Sequence, residues 1–369
     1  MSDSDFLIIS PLPVTWGRMS FSNIPLELPP AQDSAVVYAA GDIASVGSYV
    51  FISLQDNNVG HDLDAGLAGV SFDPWSRNSE WWRYICIAYP KYSAVVTYSI
   101  DEIVTYYVTI PPPPPDISRD LYPVPALYRS LVSANLGNPV SDPDKWLRVG
   151  AENSWKMFDT TYGSQTERAD EIVVTLTPGQ SFTSLYLDNM DATSVTVTQT
   201  VSGYSRTISL TNTDLDWYTW FFRDYAQQRN CLFDDIPSLS QSALTITISN
   251  PGAIAKCGLC VIGTRTKLGR TLWGVNGGIL SFSGTTTDAF GNTTFLKRAN
   301  ARRLNFDVFI DSGYESEVFK VLDDHTDMPL VIIGSSLHEM CMAYGFLGEW
   351  NVPLTPGGSV AQIEIKSLV

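Results

Sequence analysis

The chain has 369 residues, of which 44% are hydrophobic and only 17% charged, and 39 acids against 23 bases give a net charge of −16. That size and apolar content require sizeable buried cores and exclude a disordered chain. The acidic field disfavours nucleic-acid binding and attachment to an anionic membrane surface. Abundant Thr, Ser, Tyr, Gly and Pro with few charges favour strands joined by turns. Residues 1–10 are acidic before a short apolar run, unlike a secretory signal. No stretch approaches the roughly 20 apolar residues of a membrane helix. A chain folded in a cytoplasm is expected, with its five cysteines, an odd number, reduced and buried.

Residues 1–30 carry Pro11, Pro13, Pro25, Pro29 and Pro30 among apolar residues and read as an extended arm lying across a neighbouring domain or subunit. A degenerate repeat follows. Tyr38-Ala-Ala-Gly-Asp-Ile-Ala44 lines up with Tyr98-Ser-Ile-Asp-Glu-Ile-Val104, and Tyr49-Val-Phe-Ile-Ser-Leu-Gln-Asp-Asn-Asn-Val-Gly60 with Ala126-Leu-Tyr-Arg-Ser-Leu-Val-Ser-Ala-Asn-Leu-Gly137. Trp82-Arg-Tyr-Ile85 and Trp146-Leu-Arg-Val149 close the two copies. Self-similarity of this kind predicts two small β modules, residues 31–92 and 93–158. The run Pro111–Pro115 interrupts the second copy as a stiff polyproline II segment, a spacer or a ligand for a proline-reading domain.

Residues 159–264 read as an antiparallel sandwich. Thr193-Ser-Val-Thr-Val-Thr-Gln-Thr alternates with period two, Gly203 marks a turn, and Arg206–Leu210 returns as a hairpin partner. Leu244-Thr-Ile-Thr-Ile-Ser249 alternates too and ends at Asn250-Pro-Gly. Residues 217–225 hold six aromatics, either a segment that closes the sandwich or a sugar platform. The last third, 265–369, reads as α+β: strands at 305–310, 330–334 and 360–366, and a helix over 314–325 capped by Ser312, with Glu315 completing a capping box.

The local chemistry excludes more than it supports. In extended chain, Cys257 and Cys260 lie roughly 10 Å apart and on opposite faces, against a disulfide or a metal pair. No second Cys or His pair exists to complete a zinc site, so no metal and no cofactor is expected. His61, His325 and His338 read as turn and packing residues. No nucleophile elbow, phosphate loop or dinucleotide fingerprint appears. The acid pairs Asp234-Asp235 and Asp323-Asp324 are adjacent in the chain, whereas a glycosidase pair must face each other across a bond.

The aromatics of the repeat are the best functional lead. Tyr38, Tyr49, Trp75, Trp81 and Trp82, with Asp42, cluster in the first module; Tyr128, Trp146 and Trp155 mark the second. Such rings either stack on sugar faces or form the small core of each module. Trp75 and Trp81 have no counterpart in the second copy, which favours them as exposed contacts.

With Tyr38-x-x-Gly-Asp-x-Ala, then Gly47-Ser-Tyr-Val-Phe-Ile-Ser-Leu-Gln-Asp-Asn-Asn-Val-Gly-His61, then Trp82, the first module resembles the small carbohydrate-binding modules of chitinases. The second departs from that pattern: Glu102 replaces the Gly-Asp step and the proline loop intervenes. Over nearly its whole length the chain resembles tailed-phage virion proteins that carry such modules. This likeness rests on Trp146-Leu-Arg-Val-Gly-Ala-Glu-Asn-Ser-Trp-Lys-Met-Phe-Asp159, Asp216-Trp-Tyr-Thr-Trp-Phe-Phe222, Lys256-Cys-Gly258, Gly263-Thr-x-x-x-Leu-Gly-Arg-Thr271, Asp288-Ala-Phe-Gly-Asn-Thr-Thr294 and Tyr344-Gly-Phe346. The resemblance implies a non-enzymatic structural protein of a tail tip or baseplate, or of fibre attachment, located in the virion. Its partners would be other tail proteins, further copies of itself and host-surface glycan. Two alternatives stand beside it: an architectural baseplate protein with no glycan binding, and a polysaccharide-degrading tail enzyme.

Overall fold

The computed structural model describes residues 5–63, 80–108, 124–159, 161–211, 228–240, 242–287, 290–291, 293–298, 300–336 and 338–368. They form a mainly β, antiparallel structure organised around one strand, Leu244–Thr271. Its first residues alternate as their sequence predicts: Leu244, Ile246 and Ile248 enter a core while Thr245, Thr247 and Ser249 face outward. This stretch pairs with strand Thr166–Leu176 on one side and Ser194–Gln199 on the other, and the latter forms a hairpin with Tyr204–Ser209. Asn250-Pro-Gly does not end the strand. Residues 251–253 are looped out opposite Asp170, which takes φ 63° and accepts a hydrogen bond from the Gly252 N–H at 3.1 Å. Pairing then resumes at Ile254.

The second half pairs with Ser184–Asp191, whose other edge holds Cys231–Phe233. Both halves feed one sandwich-like core containing Phe182, Leu185, Leu187, Val195, Phe233, Ile246 and Ile262. Extended geometry predicts Cys257 and Cys260 on opposite faces; instead both lie in this core. The ladder lapses for the pair Asn189 and Gly258, and side-chain alternation resumes one residue out of phase. Asn189 adopts φ 52°, and a Cβ on Gly258 would sit 2.7 Å from its Nδ2.

Past Gly263 the same strand enters a second body. Strands Leu244–Thr271, Asp5–Pro11, Leu330–Ile333, Met342–Asn351, Ser359–Ser367 and Asn300–Ile310 pair in that order, and Asn300–Ile310 pairs back to the first through Arg270 and Thr271. This is a closed six-stranded barrel. Its interior holds Phe6, Ile8, Leu268, Phe306, Val308, Ile332 and Ile363. The boundary drawn at 264/265 from sequence therefore falls inside a strand, and the N-terminal arm supplies a central barrel strand. Leu7 and Ile9 of that strand point the other way, into a second core with Tyr186, Leu259 and Tyr344 between barrel and sandwich.

Helix Glu315–Asp324 adds Val318 and Leu322 to the barrel interior. Ser312 is not its cap. Tyr314 occupies the N-cap position without a side-chain bond, and the Glu315 carboxylate accepts from the Gly313 N–H at 2.7 Å. Several glycines of the motifs quoted above sit where strands approach closely. A Cβ at Gly263 would collide with Ser10 O, at Gly269 with Phe309 O, and at Gly345 with Lys366 O. These motif glycines are therefore packing devices of the sandwich and barrel.

The repeat forms two three-stranded sheets: Ile43–Val46, Tyr49–Ser53 and Trp82–Ile87 in the first module, Ile103–Tyr106, Ala126–Ser130 and Trp146–Ala151 in the second. The first is seated on the sandwich, since Val50, Ile85, Cys86 and Ala88 belong to the sandwich core. Arg83 also pairs with Asp170 at 3.2 Å.

Candidate functional site

The two modules match hydrogen bond for hydrogen bond. Asn58 and Asn135 each donate Nδ2 to a serine hydroxyl, Ser53 or Ser130, at 3.0 Å. Trp82 Nε1 donates to His61 O at 2.8 Å, and Trp146 Nε1 to Asn138 O at 3.0 Å. Tyr38 lies edge-on to Trp82 at 4.9 Å, and Tyr98 to Trp146 at 5.3 Å. Asp42 accepts from the Ala39 N–H at 2.7 Å and Glu102 from the Ser99 N–H at 2.9 Å. Asp101 takes φ 66° where the first module has Gly41 at 94°. The second module thus reproduces the Gly-Asp turn with Asp101-Glu102, and the apparent departure is one of residue type alone.

This geometry sorts the candidate residues. Trp82 and Trp146 are buried core residues, as are the closing sides of their partners Tyr38 and Tyr98. Asp42 is a turn acceptor. Tyr49 is half-buried, edge-on to Tyr84 at 6.1 Å, and Tyr128 is half-buried, edge-on to Tyr106 at 6.1 Å. Trp155 belongs to neither module's core. Fully buried, it sits 5.6 Å from Trp16 of the N-terminal segment, on a short 3-10 turn, Asn153–Phe158. Trp75, the five-proline run and the aromatic stretch 217–225 lie outside the described residues.

Trp81 is what remains. Expected as an exposed contact, Trp81 is instead half-buried: it lies in the turn before strand Trp82–Ile87 and packs against the edge of the module core. There its ring stacks on His61 at 3.8 Å, with only 10° between the planes. The platform is held by backbone: Trp81 O accepts from the Leu54 N–H at 2.9 Å, and Trp82 Nε1 fixes the His61 carbonyl. Gln55, whose Nε2 donates to Glu80 O at 3.0 Å, flanks it. The second module has Lys145 and Asn138 at these places, so it carries no stacked pair. Sequence reading left His61 as a turn residue; its one available signal was its position three residues after the core asparagine Asn58. A second feature, missed in the sequence, is an identical Ser-Ala-Val-Val tetrapeptide starting at Ser34 and at Ser93. It leaves Val36, Val37, Val95 and Val96 exposed at corresponding turns.

Between the modules and the sandwich lies a buried acid, Glu152. Its carboxylate accepts from the Ser154 N–H at 2.9 Å and the Ser154 hydroxyl at 2.5 Å. Burial pushes its carboxyl up to about 7, against the opposing pull of those bonds. It caps the turn that carries Trp155. Burial likewise pushes the Cys86 and Cys257 thiols up to about 12. No group of three or more His, Cys, Asp or Glu side chains able to hold a metal ion occurs among the described residues.

No family model, curated protein or solved structure matches the chain. The site's own geometry is therefore the basis for a functional reading. A flat, backbone-fixed Trp–His pair flanked by an amide offers an apolar face and a hydrogen-bond donor, the two features that a sugar ring engages. No described helix is long and apolar enough to cross a membrane.

Proposed function

We propose that this chain is a structural protein of a phage tail tip or baseplate whose first module touches host-surface glycan through the Trp81–His61 stack. The observation that carries the reading is the division of labour among the aromatics. Tyr38, Trp82, Tyr98 and Trp146 serve the module cores in both copies, while the Trp81–His61 pair, at the edge of the first core, exists in one module only. The test uses full-length protein on immobilised host-surface polysaccharides, with Trp81→Ala and, as control, Lys145→Ala at the equivalent place. Retention lost only in Trp81→Ala supports glycan contact; a wild-type chain retained by none of them ends it. Gold-labelled antibody against residues 31–158 on purified particles tests the virion location, and absence of the protein from denatured particles by immunoblot removes it.

A purely architectural role is favoured by how many of the repeat's rings are core. Particles carrying Trp81→Ala separate the readings: intact particles that no longer adsorb point to glycan, and unassembled particles to architecture.

A further inference from the structure

The two modules share one hydrogen-bonded framework, and a single bond of it is missing from the first. Asn58 and Asn135 are both 1% exposed. Each donates Nδ2 to a serine hydroxyl at 3.0 Å and to a main-chain carbonyl, Trp81 O at 3.4 Å or Lys145 O at 3.3 Å. In the second module the other atom of that amide, Asn135 Oδ1, accepts from Asn138 Nδ2 at 2.8 Å. In the first, Asn58 Oδ1 is buried and has no hydrogen-bond partner among the described residues. Leaving a buried acceptor unanswered costs more than a made bond gains, so the gap weakens the module that carries it.

His61 stands where Asn138 stands, and the backbone leading to both is the same. Asn57 and Ala134 take φ 57° and 54°, and Gly60 and Gly137 take 74° and 73°. Trp82 Nε1 holds the His61 carbonyl as Trp146 Nε1 holds that of Asn138. Histidine Nδ1 is as many bonds from the main chain as asparagine Nδ2, and both can donate. In the rotamer that Asn138 uses, His61 Nδ1–H therefore meets Asn58 Oδ1. Only a change of side-chain rotamer separates that seat from the stacked one.

Stacked, the imidazole lies 3.8 Å from the Trp81 ring with 10° between the planes, while Trp81 packs against the edge of the module core. A ligand ring cannot use that face of the indole while the imidazole is on it. An aromatic pair and a hydrogen bond to a buried acceptor are of comparable size, so each seat competes with the other.

We infer that Asn58 is a positioning residue: its free Oδ1 gives His61 a second seat, and the turn of the imidazole onto it bares the Trp81 face for a sugar ring. The second module, with Asn138 already bonded to Asn135 and Lys145 in the place of Trp81, keeps the tether and has no platform to bare. The ligand rests on the glycan reading above; the two seats belong to the free protein.

The full chain has three histidines, so the turn can be read without any glycan. With isotope-labelled histidine, and His325→Gln and His338→Gln to assign the signals, long-range ring spectra at pH 8 tell an Nδ1–H imidazole from an Nε2–H one. The Asn58 seat requires Nδ1–H, since an amide oxygen only accepts. Trp81→Ala, which removes the stack, should move His61 to Nδ1–H and slow exchange of that proton about five-fold or more against exposed His338. An Nε2–H signal, or a ring proton that exchanges as freely as that of His338, overturns the inference. If Trp81→Ala opens the module, a pair of variants at position 61 decides instead. His61→Ala and His61→Asn both lose the stack, and only the second supplies a donor to Asn58. Amides of Tyr49–Ser53 should exchange about five-fold more slowly in His61→Asn than in His61→Ala; equal rates overturn the inference. A polysaccharide that retains the wild type should drive His61 to Nδ1–H, and a bound state with His61 still stacked overturns it too. A chain retained by no polysaccharide fails the glycan reading alone, because the spectra of the free protein judge the two seats.

Discussion

Trp82→Ala should unfold the first module and leave the sandwich standing. The indole is buried beneath Tyr38 at 4.9 Å and holds the His61 carbonyl at 2.8 Å. That core otherwise buries Ala44, Phe51, Leu63 and Tyr84, with Tyr38, Val46, Tyr49 and Trp81 packed against its edge. Truncating a buried aromatic costs about 3–5 kcal/mol, or two to four orders of magnitude in the opening equilibrium. At about 0.05–0.15 kcal/mol per residue, a unit spanning 31–88 is itself stable by roughly 3–9 kcal/mol. The loss is therefore comparable to the whole. Hydrogen exchange read by mass spectrometry is the suitable assay, because a multi-body chain has no single unfolding free energy. Amides of Tyr49–Ser53 and Trp82–Ile87 should lose protection, while those of 171–176 and 244–249 keep it. Undiminished protection in the module would refute the assignment of Trp82 as its core. Equal loss in the sandwich would refute the module as a separate folding unit, a real risk given that Val50 and Ile85 reach the sandwich core.

Glu152 ionises near 4.5 when unfolded and at about 7 in the folded chain, so between those values the native state binds the extra proton. Stability contributed by the neutral carboxyl is present at acid pH and is lost as pH rises toward 7, by up to about 3 kcal/mol. Glu152→Gln should accordingly raise the melting temperature at pH 8 and change it little at pH 5; an equal loss at both would refute this. Gly263→Ala drives a methyl into Ser10 O and should cost about 1–3 kcal/mol. It should also speed proteolysis at the N-terminal strand, and unchanged digestion would contradict the packing role. All five cysteines are buried. None should react with a disulfide reagent at pH 8 until the chain unfolds, and one rapidly labelled thiol would place a cysteine nearer solvent than here.

What was legible in the sequence was local. Alternation at 194–199 and 244–249 gave strands, the capping signature at Ser312 and Glu315 placed the helix although Tyr314 holds the cap position, and the repeat alignment placed Trp82 opposite Trp146 as the structure does. What was hidden was non-local or compensated. Asn250-Pro-Gly carries a turn signature, yet Asp170 absorbs it as a bulge in a strand that goes on. Barrel closure joins Leu7 to Ile333, and nothing near either residue announces the other. At the site, His61 looks like any turn histidine until the buried indole of Trp82 fixes its carbonyl. Glu102 looks like a lost Asp until its longer side chain reaches the same kind of backbone N–H.

The central position of strand Asp5–Pro11 dictates when this chain can finish folding. Its partners at Leu330–Ile333 are translated about 320 residues later, which at about 5–20 residues per second is a wait of roughly 15–65 s. The modules and the first half of the sandwich can form on the ribosome during that interval. The barrel cannot, so Phe6, Ile8 and their neighbours must be shielded by collapsed chain or by chaperones until the last strands emerge.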